Sequence, residues 1–186
     1  MRSAWLSLLL QFWLFIQIYS GRSSFRPKTV RIYQFKGICP GHEDIPVYYS
    51  DIEVVNINRT FRVSLKANIR SDINNDMKLW LFLSRCNSRD ALDSCETYNT
   101  IKINHFCKIL NGENMPWTDA VRKFSPPLRC PLKKGVYEFK NSTFDGSAFN
   151  RFPVLNWYWK VLVNIKDEIT DELLQCATLE GQIAPI

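Results

Sequence analysis

Trp157-Tyr158-Trp159-Lys160-Val161-Leu162-Val163-Asn164-Ile165-Lys166 is the stretch whose reading decides the fold. Trp157, Trp159, Val161, Val163 and Ile165 alternate with Tyr158, Lys160, Leu162, Asn164 and Lys166. In an extended chain successive side chains point to opposite faces, so this period of two reads as a half-buried β-strand. A second run has the same form. Phe61, Val63, Leu65, Ala67 and Ile69 alternate with Arg62, Ser64, Lys66, Asn68 and Arg70.

Working outward, residues 30–35 and 48–57 fit strands less strictly. Residues 79–83 are apolar on both faces, which predicts a central strand. Residues 100–110 read as one further strand, with Ile101, Ile103 and Ile109 on one side and lysines on the other. Residues 173–183 are expected to return antiparallel to the tryptophan strand through a turn at 167–171. Thr118 is placed to cap a short helix that Pro126-Pro127 would stop. Strands joined by short polar connections predict an all-β, mostly antiparallel domain.

The first twenty residues form a separate unit. Arg2 is their only charge, and residues 5–18 run apolar except for Ser7, Gln11 and Gln17. Ser20 and Gly21 supply small residues for cleavage, so residues 1–20 read as a secretory signal peptide and 21–186 as a single domain. The run is short for a bilayer span and no later stretch is longer, so no transmembrane segment is expected. The mature chain is expected to be secreted and extracellular.

Composition agrees with a globular domain: of 186 residues, 46% are hydrophobic, 23% charged and 13% aromatic. The net charge of +6 is scattered, which favours a solvated surface over a docking site for anionic headgroups or sialylated sugars. No basic stripe interleaved with aromatics suggests nucleic acid.

Six cysteines follow the leader: Cys39, Cys86, Cys95, Cys107, Cys130 and Cys176. An even count in a secreted chain implies disulfides. Zinc is the alternative, but there is no Cys-x-x-Cys pair and only two histidines, His42 and His105. Cys86 and Cys95 flank a polar hairpin-like loop. Cys107 and Cys130 bracket a long segment, and Cys39 and Cys176 lie near the two ends. Pairing within these three couples suits the layout, although many connectivities remain open. Sequons at Asn58 and Asn141 are candidate glycosylation sites.

Catalytic groups are not legible. There is no nucleophile elbow, no zinc-protease helix motif and no phosphate-cradling glycine loop, so no catalytic residue, metal or cofactor is assigned and the chain reads as a non-enzyme. His105 reads as a partly buried structural histidine, for want of a nucleophile or orienting carboxylate to name beside it. Aromatics do stand out on loops: Trp117, Phe124, Phe144, Phe149 and Phe152. Such residues mark a binding surface or a cavity mouth, or else fold back to finish the core.

The order Leu79-Trp80-Leu81-Phe82, Cys86, Cys95, His105-Phe106-Cys107, Cys130-Pro131-Leu132-Lys133-Lys134-Gly135-Val136-Tyr137, Phe152-Pro153 and Cys176 resembles the ganglioside GM2 activator family of MD-2-related lipid-recognition-like proteins. Among its members, the insect chemosensory relatives of the chemosensory protein A type are similar in length and in their six cysteines. The resemblance covers about residues 30–186. It implies an antiparallel β-cup or sandwich around an apolar cavity, with disulfides Cys39–Cys176, Cys86–Cys95 and Cys107–Cys130. A further pair that the activators carry before Cys130 is absent here, which implies a looser lid.

The resemblance also implies a carrier of a lipid, glycolipid or hydrocarbon ligand, with a role in pheromone or contact-chemical sensing and a receptor as partner. The alternative it leaves is a glycolipid activator accessory to a hydrolase in the lysosomal lumen. On this reading the cavity and rim residues are Trp80, Phe82, Phe106, Trp117, Phe124, Phe149, Phe152, Trp157, Trp159, Val161 and Val163. Trp157 is expected nearest the mouth and Val161 and Val163 deeper. Trp117, Phe124 and Phe149 are expected on the rim, with Arg122, Lys123 and Arg151 facing a headgroup.

Overall fold

The computed structural model describes residues 28–57, 60–115, 118–143 and 157–185. The leader, Asn58, Trp117, Phe144, Phe149, Arg151 and Phe152 lie outside the described residues. The strands are β1 (Lys28–Lys36), β2 (Val47–Ile57), β3 (Thr60–Ile69), β4 (Met77–Cys86), β5 (Glu96–Ile103), β6 (Phe124–Ser125), β7 (Gly135–Thr143), β8 (Tyr158–Asp167) and β9 (Leu173–Pro185). Two five-residue helices, α1 (Phe106–Leu110) and α2 (Thr118–Arg122), complete the set with one 3-10 turn at Leu92–Ser94. No described helix is long and apolar enough to cross a membrane. The described residues are nearly all β, and the strands form one open sheet.

The strands join in the order β5-β4-β8-β9-β2-β3-β7-β6. All pairings are antiparallel except the single parallel bridge of Val47 to Gln175, between β2 and β9. β1 pairs antiparallel with the later half of β9, from Thr178 to Pro185. The outer edge of β9 is therefore shared: β2 takes its start and β1 its end. Gly181 is needed there, because a Cβ on it would lie 2.6 Å from the Arg31 carbonyl oxygen.

Burial shows where the sheet folds over on itself. Met77 of β4 and Leu174 of β9 share a core with Val47, Ala67, Ile69 and Tyr137 of β2, β3 and β7, and Ile165 of β8 packs against it. β4 and β7 are far apart in the sheet order, so this end of the cup is closed. A second cluster joins Ile32 of β1 to Phe61, Val63, Leu65 and Phe139. The opposite end of β4 and β8, towards Cys86 and Trp157, does not enter these clusters.

The six cysteines pair as Cys39–Cys176, Cys86–Cys95 and Cys107–Cys130, the three couples favoured by the layout of the sequence. The first of these buries Ile45 between the 37–46 segment and β9, with Leu162 and Leu173 packed on it.

One expectation is corrected. Residues 100–110 do not form one strand: β5 ends at Ile103, and Phe106–Leu110 is helical. His105 adopts a left-handed backbone at φ 52°, which ends the extended run and starts the helix. The Cys107 N–H then donates to Asp76 Oδ1 at 2.9 Å, and Phe106 and Leu110 pack on the closed end of the core.

The β8–β9 turn rests on Asp167. Its buried carboxylate accepts N–H bonds from Ile169 at 2.8 Å and Thr170 at 2.9 Å, and the Asn75 amide donates to it at 2.9 Å. The Thr170 N–H, followed by the Asn75 and Ile169 donors, holds the Asp167 carboxyl below its ordinary pKa. Asp167→Ala is expected to cost about 1–3 kcal/mol, the scale of leaving buried donors unpaired. In the wild type this contribution is complete above the unfolded carboxylate value of about 4 and is lost as pH falls through the lower folded value. Urea unfolding across an acid series should show the wild-type advantage over Asp167→Ala shrinking only below about pH 4. An advantage already fading at neutral pH would refute this account.

Candidate functional site: the inner face of β4 and β8

Antiparallel partners share a face, so the registers sort every side chain. Leu79, Leu81 and Leu83 of β4 pair with Ile165, Val163 and Val161 of β8. On β5, Ile103 and Ile101 lie opposite Leu79 and Leu81, and on β9, Ala177 and Leu179 lie opposite Val163 and Val161. This is the inner face, because Ile165 and Leu179 on it pack against the two core clusters. Yet Leu79, Leu81, Leu83, Val161 and Val163 are only partly buried and belong to none of the clusters built by the described residues. Five large aliphatic side chains thus form an apolar wall next to the core but outside it.

The wall ends in aromatics at the Cys86 end of β4, where β8 begins. Trp159 meets Tyr98 edge to face at 5.1 Å. The Arg85 guanidinium stacks 4.8 Å from the Trp157 ring and 5.4 Å from Tyr98, and Glu96 fixes it through contacts of 2.6 Å to both Nε and Nη2. Stacking keeps the rings rigid and leaves a charge at the border of the apolar wall.

Two polar groups stand on the same face. Gln175, opposite Ile165 and Val47, has no exposed surface. Neither its amide nitrogen nor its amide oxygen has a hydrogen-bond partner among the described residues, and the same holds for buried Trp159 Nε1. Buried amides are normally paired, and leaving one unpaired costs about 1–3 kcal/mol.

The expected site residues are therefore divided. Trp157, just before β8, lies under the Arg85 guanidinium, and Trp159, Val161 and Val163 share the inner face. Trp80 and Phe82 do not: they pair with Asn164 and Leu162, on the face that carries the Cys39–Cys176 bridge. There the Trp80 ring lies 4.3 Å from Lys102 Nζ and 4.8 Å from Lys166 Nζ, and 6.2 Å from Phe82. A strand apolar on both faces offers no parity by which sequence could choose between them.

Phe124 and Phe106 are corrected as well. Phe124 stacks on Phe139 at 4.8 Å and packs against both core clusters, so it completes the core. Phe106 flanks the closed end. Arg122 is exposed and sits 3.6 Å from Glu113, and Lys123 is exposed. Asn141 is exposed on β7, with φ 52° and its N–H on Ser64 Oγ at 3.1 Å, so its sequon is accessible. Sequence reading missed Leu79, Leu81 and Leu83 as wall residues, although their apolar run was the available signal. Gln175 gave none, being one polar residue inside a strand.

No family model and no curated protein matches this chain. Among solved structures the chain is similar to a Niemann-Pick type C2 protein from Japanese carpenter ant, at 20% identity and TM-score 0.36, over 74% of this chain and 90% of that one.

Proposed function

We propose that this chain is a secreted, non-enzymatic carrier that holds a lipid or other apolar ligand against the inner face of β4 and β8. The supporting observation is the wall of Leu79, Leu81, Leu83, Val161 and Val163, apolar and partly buried but outside the core clusters. An apolar tail laid on such a wall gains roughly 25 cal/mol for each Å² taken from water. Contact area rather than hydrogen bonding then sets the affinity, and tail chemistry is read broadly. The unpaired Gln175 amide and Trp159 Nε1 favour a ligand that also carries one polar group. A chemosensory role is the finer form of this reading, and service to a glycolipid hydrolase its rival; both rest on the sequence resemblance.

Delipidated secreted protein titrated with a fluorescent long-chain fatty acid is expected to bind it. Leu81→Asp or Val163→Asp should weaken uptake about tenfold or more, the ratio that ~1.4 kcal/mol produces. Gln175→Leu should narrow the preference for the fatty acid over the alkane of equal length. Native mass spectrometry that finds the protein empty from its source, together with no uptake of fatty acids, glycolipids or hydrocarbons, would sink the proposal. Faster glycolipid turnover by a hydrolase on addition of the protein would favour the accessory role over the sensory one.

A further inference from the structure

At the closed end of the cup, three segments bring an imidazole and two carboxylates together. Asp76 immediately precedes β4, His105 precedes α1, and Glu168 follows β8. One ligand atom from each lies within 4.8 Å of the others. His105 Nδ1 is 3.1 Å from Glu168 Oε2 and 3.6 Å from Asp76 Oδ2. The two carboxylates are largely covered, whereas the imidazole is 71% exposed.

Each donor is held before any ligand arrives. Asp76 Oδ1 already accepts the N–H groups of Met77 at 2.7 Å and Cys107 at 2.9 Å, which directs Oδ2 to the cluster. The Glu168 N–H donates to the Asp76 carbonyl at 3.0 Å, tying the two acidic segments together. The His105 N–H donates to Glu168 Oε2 at 3.3 Å, and the ring Nδ1 of the same residue faces both carboxylates. The Cys107–Cys130 bridge begins two residues on and fixes α1.

We infer that Asp76, His105 and Glu168 form a divalent transition-metal site, of the zinc type, with a fourth position left to water. Four ligands placed roughly 2.0–2.1 Å from Zn²⁺ at tetrahedral angles are about 3.3 Å apart. The two His105 distances, 3.1 and 3.6 Å, bracket that edge. Two oxygens and one neutral imidazole nitrogen suit zinc or manganese, while calcium and magnesium favour oxygen throughout. Such an ion would pin α1 to the β8–β9 turn and lock the closed end of the cup. Its three residues lie beyond the Met77 end of β4 and the Asp167 end of β8, and none of them belongs to the apolar wall.

The test uses the full secreted protein, stripped with EDTA and titrated with ZnCl₂ by calorimetry. One equivalent is expected to bind and to raise the melting temperature. His105→Ala should weaken that event roughly 10- to 100-fold, at least the loss seen for outer-shell partners of metal ligands. Glu168→Gln, which keeps shape and removes charge, should weaken it as well and covers the case in which His105→Ala misfolds. His42→Ala should leave it unchanged. Cobalt in place of zinc should give the intense visible bands of a tetrahedral site in the wild type and lose them in Glu168→Gln. Absence of stoichiometric uptake, or uptake equal in wild type, His105→Ala and Glu168→Gln, would overturn the assignment and leave the cluster an ion pair.

Discussion

Cys39→Ala/Cys176→Ala is expected to lose about 5 kcal/mol of stability, roughly twice the loss of about 2.5 kcal/mol expected for Cys86→Ala/Cys95→Ala. The reason is loop length. The first bridge joins residues 137 apart in sequence and the second residues 9 apart. In the chain-entropy account, a crosslink removes conformations from the unfolded chain in proportion to the logarithm of the loop it closes. The two bridges also differ in the folded state. Cys39–Cys176 sits in a buried cluster with Ile45 and holds the 37–46 segment on β9, while Cys86–Cys95 closes a hairpin that the β4–β5 ladder already aligns. Urea unfolding of both double variants measures the order. Equal losses would mean that strain or residual structure, and not loop entropy, sets the values.

Phe139→Ala is expected to cost about 3–5 kcal/mol, the range for deleting a large buried aromatic. Phe139 is 2% exposed, stacks on Phe124 at 4.8 Å and is enclosed by Ile32, Phe61, Val63 and Leu65. Truncation leaves a void that close-packed strands cannot collapse to fill. Val163→Ala removes fewer atoms from a partly buried position outside the core clusters, so a cost of about 1 kcal/mol or less is expected. Thermal melts of the two variants, with ligand binding measured in parallel, separate core from wall. Phe139→Ala should melt the protein early, whereas Val163→Ala should fold normally and bind less. If Val163→Ala costs as much as Phe139→Ala and spares binding, the β4–β8 wall is core, and the carrier reading loses its support.

The sequence by itself determined β3 and β8. Period two in residues 61–70 and 157–166 is a direct consequence of pleated geometry, and it survives because one face of each strand is apolar and the other polar. The turn at 167–171 and the short helix at Thr118 were legible from the same local chemistry. The run from Thr100 to Leu110 misled because Ile101, Ile103 and Ile109 keep strand parity across His105, and only the φ of that one residue breaks the run.

What the tertiary structure decided was long-range. Leu79–Leu83 is apolar on both faces, so parity could not say that Leu81 joins Val163 while Trp80 and Phe82 turn towards the Cys39–Cys176 side. Phe124 has the composition of a loop aromatic, and only its stacking on Phe139 makes it core. Asp76, His105 and Glu168 are unremarkable where they stand in the chain. They meet because β4 and β8 are neighbours and α1 docks beneath them. Local pattern reports which side of a strand is apolar; which apolar side closes on which is set by sheet order and by where the sheet folds over, and neither is written in any short stretch.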